Sequence, residues 1–256
     1  MIRRKFYFKH LQRWIIESRG VIFRRKLNNA DLQILNSKFP YYFRLSSSHK
    51  KEFESKLESV LSTKEFVGRG GIDLVSEEME LLIGATITMV TFGWRKVRLP
   101  HFRYILVYPN TYYSTITKSY HRGEVNPKFG IIAVSWNCFL EGLMDESDGI
   151  NLGIHEVAHA LKLENHIYSN EEIEFFNPNA KREYISHMKA ELERLRNGGI
   201  PFFRKSAELN EDEFFAVSLE YFFEKPQEFF EAKPEFYKVL VKLMQQDPRV
   251  VSPRRI

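Results

Sequence analysis

A single cysteine, Cys138, is all the thiol chemistry in this chain of 256 residues. One thiol cannot close an intrachain disulfide, so the fold does not depend on an oxidising compartment. No run of 18 apolar residues occurs, which leaves no simple membrane span. The N-terminal stretch FYFKHLQRWII is broken by charges and lacks a small-residue cleavage site, so it does not read as a secretory signal. The expected compartment is the cytoplasm. Internal repeats and low-complexity tracts are absent. So are zinc-finger spacings and aromatic RNA-binding signatures, and no nucleic-acid partner is expected.

What is present is apolar bulk. Hydrophobic residues make up 43% of the chain and Phe alone supplies 22, enough for a substantial core. The formal charge of +5 is concentrated near the start, in MIRRKFYFKHLQRW and RGVIFRRKLNN. Residues 1–30 therefore read as a basic N-terminal extension, either a solvated arm or a contact for an anionic surface. No linker stands out in the remainder, so a single α+β domain, mostly helical with a small sheet, is expected.

Helical periodicity places a first helix over Ser47–Phe66, in which Phe53, Leu57, Val60 and Leu61 share a face. GRGG at 68–71 reads as a turn. Ser76–Gly93 predicts a second helix, capped by Ser76 and apolar nearly all round, hence buried. FRYILVYP and KFGIIAVSW are short, β-rich and bounded by Pro, Asn and Gly, and so predict strands. Three more helices follow: Asn179–Gly199, one from Asn210 that ends at Pro226, and one within 233–248. Cys138, between Trp136 and Phe139, reads as a buried, inert thiol.

Between strands and helices lies GINLGIHEVAHALKLEN. His155 and His159 stand at i and i+4, so on a helix they share a face with Cβ atoms roughly 5–6 Å apart. Two imidazoles at that spacing can ligate one Zn²⁺ at about 2.0–2.1 Å each. Glu156 stands to the side, where its carboxylate can take a proton from a water activated by the metal and return it to a leaving amine. Leu152, Ile154, Val157, Ala158 and Leu161 surround the motif, which argues for a buried helix rather than a chance pair of surface histidines. A catalytic zinc needs a third protein ligand, and LNEDEFFAVSLEYFFEKP offers two. Glu213 and Glu220 lie seven apart on one face of an otherwise Phe-rich helix.

The pairing of VSWNCFLEGLMDESDGINLGIHEVAHAL with NEDEFFAVSLEYFFEKP resembles the Mlc titration factor A (MtfA) family of zinc metallopeptidases, over roughly residues 35 to 245. The resemblance implies a zincin-like fold of the gluzincin type and one zinc per chain. It makes His155, His159 and Glu213 the ligands and Glu156 the general base. Glu220 becomes a residue that orients a ligand histidine, and Asp148 and Asn151 supply capping or supporting hydrogen bonds. It further implies a peptide substrate and aminopeptidase-like action. The alternative is a zinc-containing protein-binding module with weak or no catalysis, because the family is named for sequestering a transcriptional repressor and a regulator protein would be its partner. One position departs from the family pattern. Where a tyrosine often stands seven residues before the third ligand, as an oxyanion donor, this chain has Ser206. Tyr221, Tyr184 and His166 are the residues considered as substitutes. The strand GIIAVSW, shortly before the motif, is expected to offer its edge to an extended peptide.

Overall fold

Asn28, Ser46, Ser76, Ser135, Asn177 and Asn210 each accept a backbone N–H at the head of a helix. Each such cap is worth about 1 kcal/mol. The computed structural model describes residues 25–114, 117–169 and 175–250. In chain order these form α1 (Asn29–Lys38), α2 (Pro40–Arg44), α3 (Ser47–Thr63), β1 (Glu65–Gly68), α4 (Glu77–Val90), β2 (Tyr104–Tyr108), β3 (Tyr112–Ser114) and β4 (Ser119–His121). Then come β5 (Gly123–Asn126), β6 (Ile131–Ser135), α5 (Trp136–Met144), α6 (Leu152–Ser169), α7 (Pro178–Arg196), a 3₁₀ turn (Lys205–Glu208), α8 (Glu211–Glu224), α9 (Pro226–Ala232) and α10 (Pro234–Met244). The protein is mostly helical with a small sheet, as its sequence predicts.

Four strands form the main sheet in the order β1-β2-β6-β5, the first two pairings parallel and the last antiparallel. Ile105 lies beside Ile132 and Val107 beside Val134, and all four side chains are buried in the core. β6 is thus paired on both sides. The expectation that GIIAVSW offers a free edge is corrected: the edge strand next to it is β5, which pairs with β6 alone among the described residues. β3 and β4 form a separate antiparallel hairpin.

α3 ends three residues short of the predicted Phe66. Its final turn gives way to β1, because pairing with β2 satisfies the backbone that helix propensity alone would have extended. Lys64, at the junction, turns inward and donates to the carbonyls of Arg98, Leu99 and Phe102. Lys56, about two turns earlier, donates to the carbonyls of Thr91 and Trp94. Together the two amines tie α3 to the segment between α4 and β2. α4 is buried from Leu81 to Val90, as its all-round apolar sequence predicts.

The last residues of the basic N-terminal stretch are docked. Arg25 pairs with Glu80 and Lys26 with Glu58, and α1 starts at Asn29. Residues 1–24 lie outside the described residues. Pro226 ends one helix and also starts another, since proline suits the first turn, where no N–H is needed. Phe214, Phe222 and Phe229 are fully buried, so the Phe-rich run is core. Cys138 is half-buried rather than buried.

Candidate metal centre

α6 has two faces. Ile154, Val157, Ala158, Ala160 and Leu161 are buried at 0–3% exposure, against α4, α5 and the sheet. His155 and His159 point the other way, towards α8. Asn151 starts the helix. Its Oδ1 accepts from the Ile154 N–H at 2.9 Å, and its Nδ2 donates to the Gly142 carbonyl and to Glu224 Oε1. Asp148 acts locally, accepting from the Ile150 N–H at 2.8 Å.

α8 delivers the third group. Asn210 caps it through the N–H groups of Asp212 and Glu213, which fixes Glu213 in the first turn. His155 Nε2 and His159 Nε2 stand 3.1 Å apart. Glu213 closes the triangle, with Oε1 3.2 Å from His159 Nε2 and Oε2 3.5 Å from His155 Nε2. Tetrahedral ligands at about 2.0–2.1 Å from a common centre are separated by roughly 3.3–3.4 Å. The separations of 3.1 to 3.5 Å are close to that spacing, and one ligand atom from each of the three residues lies within 4.8 Å of the others. Among the described residues they are the one group of His, Cys, Asp and Glu donors able to converge on an ion.

The electrostatics agree with that geometry. Burial pulls His155 down, but the carboxylates of Glu213, Glu220 and Glu156 outweigh it and hold the imidazole up to about 10. Hydrogen bonds from His155 and His159 keep Glu213 well below the usual carboxylate range. The same groups could hold a divalent cation at that point, in competition with the protons they share. Glu156 is different. Burial pushes it up to about 8; His155 opposes the rise, and Glu213, Glu220 and Glu124 add to it. A divalent charge at the three donors would draw it back down. Its carboxylate lies against Gly123 of β5.

Behind His155 sits Glu220, on the same helix as Glu213 and fully buried. Its Oε1 is 2.7 Å from His155 Nδ1. An ionised carboxylate only accepts, so the proton of that bond sits on Nδ1, and Nε2 faces the other donors. Arg204 grips the same carboxylate, at 2.6 Å to Oε2 and 2.7 Å to Oε1, and its Nη2 comes to 3.5 Å from His155 Nδ1.

The sequence pattern of the glucose-regulated metallo-peptidase M90 family matches residues 12–245. The chain belongs to that family. An uncharacterized protein of Synechocystis sp. (strain ATCC 27184 / PCC 6803 / Kazusa) is 27% identical over 244 residues, covering 90% of this chain and 88% of that protein. Membership of the M90 family makes the chain a metallopeptidase by family, with a metal ion implied. Among the described residues no helix is long and apolar enough to cross a membrane.

In this M90 chain the position of the tyrosine expected seven residues before Glu213 is filled by Ser206, whose Oγ accepts from Arg204 Nε at 2.9 Å. The residues considered as substitutes are occupied elsewhere or remote. The Tyr184 hydroxyl is buried against Ser218 Oγ, and the Tyr221 ring packs on Gly149, Phe202 and Phe203. His166 is exposed near the far end of α6. Arg204 carried no sequence signal. It lies in the stretch PFFRKS, outside any helical or strand pattern, and only the fold brings it to Glu220.

Proposed function

We propose that the protein is a zinc-dependent peptidase. The observation that carries this reading is the convergence of His155 Nε2, His159 Nε2 and the Glu213 carboxylate, at separations of 3.1 to 3.5 Å, one residue from the buried Glu156. Zinc held by those three would polarise the scissile carbonyl and acidify water. The remaining work falls to the chain. Glu156 receives the proton at its carboxylate and returns it to the leaving amine. Glu220 keeps the Nδ1 proton on His155, so that Nε2 is the ligand atom. Asn151 anchors Glu220 by donating its N–H to Oε2 at 2.7 Å.

β5, the antiparallel edge strand, has no strand on its outer side among the described residues, and an extended peptide can add there as a further strand. Since Glu156 lies against Gly123, a peptide on β5 passes close to the base. The substrate class is therefore a peptide. The MtfA resemblance adds aminopeptidase-like action on short chains.

The test is elemental analysis of the purified protein beside His159→Ala and Glu213→Ala, followed by a peptide-cleavage screen with Glu156→Gln. The reading requires about one zinc in the wild type, loss from both ligand variants, and cleavage that Glu156→Gln abolishes while its zinc stays. Wild type that takes up no zinc from excess defeats it.

A further inference from the structure

We infer that Arg204 is a positioning residue for the zinc site, acting through Glu220 to fix how His155 presents its ligand nitrogen. Glu220 has no exposed surface. Its two oxygens accept four hydrogen bonds. Oε1 takes His155 Nδ1 at 2.7 Å and Arg204 Nη2 at 2.7 Å. Oε2 takes the Asn151 N–H at 2.7 Å and Arg204 Nη1 at 2.6 Å. The last torsion of a glutamate is soft and close to two-fold, so burial alone does not decide which oxygen meets the imidazole. A guanidinium fork settles it, because two parallel N–H bonds fix the plane of the carboxylate.

Arg204 is itself held at two further points. Nη1 also donates to the Gly149 carbonyl at 2.6 Å, just ahead of α6, and Nε donates to Ser206 Oγ at 2.9 Å. The guanidinium therefore joins the turn before α6, the 3₁₀ turn before α8 and the carboxylate between them. A buried carboxylate without a cationic partner is costly, and Arg204 is the permanently charged partner of Glu220, beside His155 on Oε1. Lysine cannot replace it, since an ammonium is a point charge with no fork. In this chain Ser206 contributes by steadying that fork, which gives a use to a position where a tyrosine was expected.

This inference rests on the zinc reading above, and the wild type separates the two. The experiment is a double-mutant cycle in zinc affinity, measured by competition with a chromogenic chelator, on the full chain with Arg204→Lys, Glu220→Gln and both together. Melting temperature is read alongside. Each single variant is expected to bind zinc about 10–100-fold more weakly. The double variant is expected to bind no more weakly than Glu220→Gln, because Arg204 acts through that carboxylate. Arg204→Lys with affinity within twofold of wild type overturns the inference, even if its melting temperature falls. So do losses that multiply in the double variant. If Arg204→Lys does not fold, Arg204→Gln, which keeps an N–H pair at reduced reach, takes its place in the cycle. A wild type that binds no zinc overturns both this inference and the peptidase reading, whereas a zinc-loaded wild type matched by Arg204→Lys overturns this one alone.

Discussion

A β-carbon on Gly123 would stand 2.3 Å from Glu156 Oε1 and 2.6 Å from the Cγ and Cδ of the same side chain. Edge strand and Glu156 side chain are packed with no room for even a methyl group. The glycine is required here by space, since its backbone does not adopt the left-handed conformation.

Gly123→Ala must therefore displace Glu156 or bend β5. A misplacement of about 1 Å at a reacting group costs on the order of 10²-fold in rate. Peptide cleavage by Gly123→Ala should fall by that order while zinc content holds at the wild-type level. Activity within twofold of wild type would show that the contact is slack.

Asn151→Ala removes the cap on Ile154 and the bonds to Gly142 and Glu224 in one step. Caps are worth about 1 kcal/mol and buried partners left unmet add roughly 1–3 kcal/mol. A loss of about 2–3 kcal/mol in denaturant unfolding is expected. A loss below about 0.5 kcal/mol would mean that water replaces the amide without cost.

Glu224 adds a pH dependence of its own. Burial raises it from 4.5 to about 8, Asn151 opposes the rise, and Glu220, Asp148 and Glu146 add to it. The folded chain keeps the proton after the unfolded chain has released it, so this group makes stability fall as pH rises from about 4.5 to about 8. Glu224→Gln should flatten that decline and gain about 1–2 kcal/mol relative to wild type at pH 8, after discounting for partial exposure. Unfolding curves at pH 5 and pH 8 decide it; equal slopes for the two proteins would refute the assignment.

Chelation should loosen the molecule, because the three donors span α6 and α8. A ligand at a thousandfold over its dissociation constant stabilises by about 4 kcal/mol. Adding a strong chelator should lower the melting temperature by several degrees, and stoichiometric zinc should restore it. A melting temperature indifferent to both would count against the centre.

Much of the site was legible because its grammar is local. The i, i+4 histidines and the glutamate between them all lie within a turn or two of each other on one helix. The choice between Glu213 and Glu220 was not legible from spacing, since both lie on one face of α8; the resemblance pointed to Glu213, and in the fold Glu213 faces the two Nε2 atoms while Glu220 meets His155 Nδ1. β5 carries a glycine and an asparagine and no alternating pattern, so GEVN became a strand through its partner β6, not through its own propensity. Thr63 ends α3 for the same reason, with β1 captured by β2. Arg204 shows the limit most plainly. Its role is defined by residues on two other elements, and nothing in PFFRKS points to them.

Lys56 and Lys64 carry a consequence for chemistry at the bench. Burial holds the Lys56 amine well below its ordinary value and brings Lys64 down to about 8. The same burial keeps acylating reagents away: the two residues are 5% and 9% exposed. Surface lysines will acylate in the native protein at once. These two will acylate only when α3 parts from the segment beneath it, so their modification is a clock for local opening, read by mass spectrometry with no label engineered into the chain.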